Sequence, residues 1–116
     1  MDILYLRGME KHCRDRQGAV KKWGADQGRQ VMRRIDEMRD VNSLADLTKF
    51  PAIRFHDLIG NRKGQFSVDV KDPYRLVFEP ANDPIPRDED GGIALDQVTI
   101  VRLLEVVNTH DKKNKN

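Results

Sequence analysis

The stretch His56-Asp57-Leu58-Ile59-Gly60-Asn61-Arg62-Lys63-Gly64-Gln65-Phe66-Ser67-Val68-Asp69-Val70-Lys71-Asp72-Pro73-Tyr74-Arg75-Leu76-Val77-Phe78 decides the fold class of this 116-residue chain. Its apolar period is two. Phe66, Val68 and Val70 alternate with Gln65, Ser67 and Asp69, and Tyr74, Leu76 and Phe78 alternate with Arg75 and Val77. Such alternation sends one set of side chains to each side of a pleated strand. Just upstream, Arg54, His56 and Leu58 alternate with Phe55, so a further half-buried strand is expected there. Asn61-Arg62-Lys63 between Gly60 and Gly64 suits a hairpin turn with positive backbone dihedrals that projects Arg62 and Lys63 outward. Asp72-Pro73 supplies the next turn. Arg75 and Val77 then share one face of the third strand.

Towards the C-terminus, residues 80–96 hold three prolines, two adjacent glycines and several acids, a composition expected of a mobile loop. Val98 to Val107 is broken only by Arg102 and Glu105, which predicts a strand at the sheet centre, covered on both faces. His110 falls just past its end, and residues 111–116 are expected to be a disordered polar tail.

Towards the N-terminus the period changes. From Met9 to about Val41 apolar residues recur at helical spacing, most clearly Val31, Ile35 and Met38, with Val20 and Trp23 one segment earlier. Two helices are expected, with Gly24 ending the first and Asp26 capping the second. Ser43 is placed to cap a single turn carrying Leu44 and Leu47, and Pro51 stops any helix. Helix, helix, then four strands predicts one α+β domain over residues 1–110, its N-terminal helices laid on one face of a mainly antiparallel four-stranded sheet.

Composition narrows the function classes. No run of eighteen apolar residues is present for a membrane span, and the Met1-Asp2-Ile3-Leu4-Tyr5-Leu6-Arg7 start lacks a basic leader before an apolar core, so a cytoplasmic location is expected. Cys13 is the only cysteine, which excludes an internal disulfide and zinc-ligand spacing and predicts a buried small apolar residue. Net charge is only +2, yet Arg and Lys concentrate between Arg7 and Lys22, between Arg29 and Arg39 and in the tail, against the acidic Asp88-Glu89-Asp90. That asymmetry fits a basic face for nucleic acid and fits an ordinary solvated surface equally well. A core this small favours a chain that works with a partner.

RNA cleavage by 2′-hydroxyl attack needs no metal, only groups that move protons and neutralise charge on the phosphorane. His56 titrates close enough to neutrality for proton transfer, and His110 is a second such group. Arg75 offers a planar fork matched to phosphate oxygens; Arg54, Arg62 and Lys63 are candidates to hold the flanking backbone. Each has a plainer reading as well. His56 is also compatible with a hydrogen-bonded structural residue, Arg75 with a partner of Glu79 or Asp69, and Arg62-Lys63 with a solvated hairpin tip. No Gly-rich phosphate loop, zinc spacing or nucleophile elbow is present.

The order of these residues resembles that of the HigB-type killer toxins of bacterial toxin–antitoxin systems, within the RelE/ParE superfamily. The similarity runs from about Val20 to His110. It is most specific in Leu44-Ala45-Asp46-Leu47, in His56 through Val68, and in Pro73-Tyr74-Arg75-Leu76-Val77-Phe78-Glu79-Pro80. The resemblance implies a RelE-like fold and cytoplasmic expression with a helix-turn-helix, HigA-like antitoxin in a hetero-oligomer. It further implies ribosome-dependent, cofactor-free endonuclease action on messenger RNA. His56 matches the family's catalytic histidine, Arg75 its phosphate-contacting arginine, and His110 the last residue of its usual Asp-Tyr-His ending. The chain departs from that pattern at Asn108 and Thr109, which replace the acid and the tyrosine, and at Ile59, which replaces a lysine. Two further readings follow from the same resemblance: a catalytically degenerate homologue that binds antitoxin as a co-repressor module, and a ParE-like gyrase poison. The histidine pair argues against the second.

Overall fold

The computed structural model describes residues 1–108. Its helices and strands are β1 (Asp2–Tyr5), α1 (Glu10–Cys13), α2 (Arg16–Trp23), α3 (Ala25–Asp40), α4 (Leu44–Leu47), β2 (His56–Asp57), β3 (Phe66–Asp69), β4 (Tyr74–Pro80) and β5 (Ile100–Asn108). The fold class is α+β. The sheet, however, has five strands rather than the four expected, in the order β1-β5-β4-β3-β2. β1 pairs parallel with β5, Ile3 opposite Val101, while the other three pairings are antiparallel. The additional strand is the N-terminal segment that sequence reading treated only as a possible leader. Its alternation spans four residues, with Ile3 and Tyr5 packed inward and Leu4 exposed.

The expected position of the last strand needs a second correction. β4, not β5, holds the middle of the sheet. Only alternate residues of the first half of β5, Val101 and Leu103, are fully buried, so helices cover one face of this strand, and its other face is partly exposed. Phe78 pairs with Leu103 and Val77 with Glu105, so a bulge leaves Leu104 as the extra residue. That extra residue restores the inward direction at Val106, which packs against the core.

The helical region is also divided more finely than expected. Asp15 breaks the first segment into α1 and α2, its side chain accepting a hydrogen bond from the Gly18 N–H at 2.7 Å as an N-cap. Gly24 does end α2, at φ 87°, but it is also the residue before α3, so Asp26 lies in the first turn of α3 instead of capping it. Val31, Ile35 and Met38 form the buried stripe of α3. At Gly28 the helices approach so closely that a Cβ would lie 2.7 Å from the backbone of Ala19 and Val20. Ser43 caps α4 as expected, and Asp46 completes a reciprocal capping box with it.

Residues 80–96 are not a mobile loop. Arg87 and Ile93 form an isolated bridge, Ala94 is buried, and Ile93 and Leu95 pack against the core. Its apolar residues anchor the segment over the end of the sheet. Leu44 in turn donates to the Val98 carbonyl at 2.9 Å, tying α4 to the start of the last strand. Cys13 is buried as expected, and burial pushes its thiol up to about 11. Among the described residues no helix is long and apolar enough to cross a membrane.

Candidate functional site

The hairpin β3–β4 builds the site by register. Phe66, Val68, Leu76 and Phe78 face the helices, so Ser67, Asp69, Arg75 and Val77 face the open side. Asp69 stands opposite Arg75, and Ser67 is flanked by Val77 and, on β2, by His56. Four of the residues that matter are therefore fixed as neighbours by strand pairing alone.

Arg75 is buried at its guanidinium end. Its Nε donates to Ser67 Oγ at 2.7 Å, Nη1 donates to Asp69 Oδ1, and Nη2 donates to the Arg54 carbonyl and, at 3.4 Å, to the Ser67 carbonyl. The fork is thus bonded through all three nitrogens to protein oxygens. Of the two plainer readings of Arg75, the Asp69 pairing is the one observed; Glu79 pairs instead with Arg102 at 3.1 Å. Burial lowers the Arg75 pKa, and Asp69 opposes that shift.

The Arg54 carbonyl reaches Arg75 because Arg54 sits in the left-handed region at φ 49°, the only described non-glycine residue with positive φ. For a side chain with a Cβ this conformation costs about 1–2 kcal/mol, so it persists where surrounding contacts impose it. Here the contact is a charge-assisted hydrogen bond to a buried arginine. The Arg54 side chain stays outside, 66% exposed, with Nε 3.4 Å from Asp69 Oδ2. Asp69 therefore bridges two arginines: one buried, one presented.

His56 lies on the rim of this cluster and is exposed. Partial burial lowers its pKa, the Arg75 charge and then the Arg54 charge add to that, and Asp69 counteracts them. The shift favours the neutral imidazole, which stands beside the cations of Arg75 and Arg54. None of the hydrogen bonds among the described residues uses the His56 ring.

Arg62 and Lys63 separate. The turn forms as expected, with Gly60 at φ 67° and Gly64 at φ 92°. Lys63 is exposed, but Arg62 does not project outward: it folds back over the sheet, donating to Gln65 Oε1 at 2.9 Å and to Glu105 Oε2 on β5 at 2.6 Å. That reach spans β4 in the row of Val77, which is buried beneath it. A buried apolar residue on the open face gives the Arg62 stem a reason to lie there. His110 lies outside the described residues.

The structure thus brings His56, Arg54 and Arg75 together, keeps Lys63 at the turn and ties Arg62 into the sheet. Ser67, Asp69 and Glu105 were not singled out as site residues from the sequence. Ser67 and Asp69 carried a signal: polar residues at i and i+2 facing an arginine across a short hairpin must share its face. Glu105 carried none, because its pairing with Arg62 crosses two strands. Among the described residues no group of three or more His, Cys, Asp or Glu is placed to hold a metal ion. Comparison of the chain with protein-family models, with curated proteins and with solved structures finds no match in any of the three.

Proposed function

We propose that this protein is the toxin of a type II toxin–antitoxin system, an endoribonuclease that cuts messenger RNA on the ribosome by metal-free acid/base chemistry. One observation carries the reading: an exposed His56 beside the Arg54–Asp69–Arg75 cluster, on the sheet face turned away from the helices. Neutral imidazole is the form that accepts a proton from a ribose 2′-hydroxyl, so His56 is assigned the base. The presented guanidinium of Arg54 neutralises charge building on the phosphate, and Lys63 holds the flanking backbone. His110 is the group proposed to protonate the leaving 5′-oxygen. The resemblance to HigB-type toxins supplies the substrate class, the ribosome and a helix-turn-helix antitoxin as partners.

Expression without a partner protein should arrest growth and leave translated messages cut, and His56→Ala should abolish both. In a purified cleavage assay the acidic limb of the rate profile should lie below pH 6.5, the ordinary histidine value, because a base with a lowered pKa stays unprotonated further into acid. Undiminished toxicity of His56→Ala sinks the assignment.

A second reading draws on Arg75, whose nitrogens are all bonded within the protein. Together with Asn108 and Thr109 in place of an acid and a tyrosine, this suits a degenerate toxin that binds antitoxin and acts only as a co-repressor. It predicts a tight complex and intact messages.

A further inference from the structure

Opposite the open sheet face, a cleft of about 550 Å³ lies between the junction of α2 with α3 and the turn joining β3 to β4. Trp23, the last residue of α2, is half-buried in its wall, and Tyr74, the first residue of β4, is 39% exposed in it. Lys22 and Lys71 stand at its edge with Asp26 and Asp72. Lys71 is engaged, its Nζ 2.9 Å from Asp26 Oδ2, whereas Lys22 is exposed and has no ion pair among the described residues. His12 packs edge-on to Trp23 with ring centroids 6.0 Å apart; slight burial and the charges of Lys22 and Lys11 lower its pKa.

Two aromatic rings and an unpaired lysine in a cleft of this size match an unpaired nucleobase with its phosphate. Asp26 and Asp72 add carboxylate acceptors for exocyclic amino groups and disfavour a second phosphate. The cleft also has a route to the chemistry. Tyr74 and Arg75 are consecutive in β4, so their side chains leave opposite faces of the same strand end. A strand of RNA crossing His56 and Arg54 would pass from one face to the other around that end. We propose that the cleft is a base-stacking subsite for an unpaired nucleotide flanking the scissile phosphate, with the base against Trp23 and Tyr74 and its phosphate at Lys22. This inference rests on the nuclease reading above.

Trp23 is the only tryptophan in the chain, so intrinsic fluorescence reads the subsite directly. The probe is a single-stranded 2′-O-methyl RNA oligonucleotide, which lacks the attacking hydroxyl and cannot be cut. Titration should quench Trp23 with the same Kd that the anisotropy of an end-labelled oligonucleotide gives. Tyr74→Leu should weaken binding about tenfold. Lys22→Gln, at an exposed position that folding does not need, should weaken it a few-fold and flatten its salt dependence, while Arg33→Gln on α3 should do neither. Binding without a change in Trp23 emission, or unweakened binding by both variants, overturns the subsite and leaves the nuclease reading standing. Equal quenching by duplex RNA overturns the preference for an unpaired base. Absence of any RNA binding overturns the subsite together with the RNA reading, and the fate of the nuclease itself is then read from His56→Ala toxicity.

Discussion

Arg54 concentrates the tension between stability and function in a single residue. Its left-handed backbone is unfavourable for any residue with a Cβ, and its side chain returns little to the folded state. The 3.4 Å contact to Asp69 is largely solvated, and exposed pairs contribute roughly 0–1 kcal/mol. Glycine removes the steric cost and leaves in place the carbonyl that Arg75 bonds. Arg54→Gly should therefore keep stability within about 1 kcal/mol of the parent in chemical denaturation while losing RNA cleavage and toxicity. A strong loss of stability would show that the side chain, not the carbonyl, holds the bend. Asp69 gives a complementary test. Its carboxylate raises the His56 pKa against burial and two arginines, so Asp69→Asn should lower that pKa further. An NMR titration of the His56 ring is the measurement, and an upward movement would place Asp69 outside its electrostatic reach. The acidic limb of the cleavage profile should move down with it.

At the level of elements, α3 is the beam that the rest is pinned to. Gln27 Oε1 accepts from the Lys71 N–H at 2.9 Å and Arg34 Nε donates to the Asp69 carbonyl at 2.7 Å, so α3 holds the end of the β3–β4 hairpin on which the site is built. α2 is held against α3 where Gly28 faces Ala19. Gly28→Ala would normally gain helix propensity; here its methyl meets backbone at 2.7 Å, which cannot swing aside, so a loss of about 1–3 kcal/mol in thermal or chemical unfolding is expected. A neutral or stabilising outcome would mean that the two helices slide apart freely. The same elements show what the chain reveals before it folds. The β3–β4 hairpin, the α3 stripe and the α4 cap are local patterns, and local patterns are legible. β1 was not, because four alternating residues pair with a strand nearly a hundred positions away and nothing near them announces it. In the candidate site, only the strand positions of His56 and Arg75 were legible from alternation. The folding back of Arg62 and the bend at Arg54 were not, because each depends on a partner in another strand or turn.

Across the whole molecule, burial is unevenly shared. β3, β4 and β5 supply Phe66, Val68, Leu76, Phe78, Val101 and Leu103 to the interior, and α3 supplies Val31, Ile35 and Met38. The α1–α2 hairpin supplies only Cys13 and Ala19 as buried residues, and its surface carries Lys11, Arg14, Arg16, Lys21 and Lys22 without ion pairs among the described residues. Local opening free energy follows buried apolar contact, so α1–α2 should open well below the global unfolding free energy while the sheet opens only with it. Native-state amide exchange should show the greatest protection over Phe66–Asp69, Tyr74–Pro80 and the first half of β5, and markedly less over Arg16–Trp23. Uniform protection across helices and sheet would remove the distinction. The consequence reaches the proposed subsite, because its two aromatic walls belong to different regimes: Tyr74 to the stiff sheet, Trp23 to the soft hairpin. A base clamped between them ties the soft wall to the stiff one. The uncleavable oligonucleotide should therefore raise protection in Arg16–Trp23 and leave the sheet unchanged, since a ligand that binds only the closed form stabilises that form by mass action. Protection that rises over His56 and the hairpin turn but not over α2 would place the RNA on the open face alone.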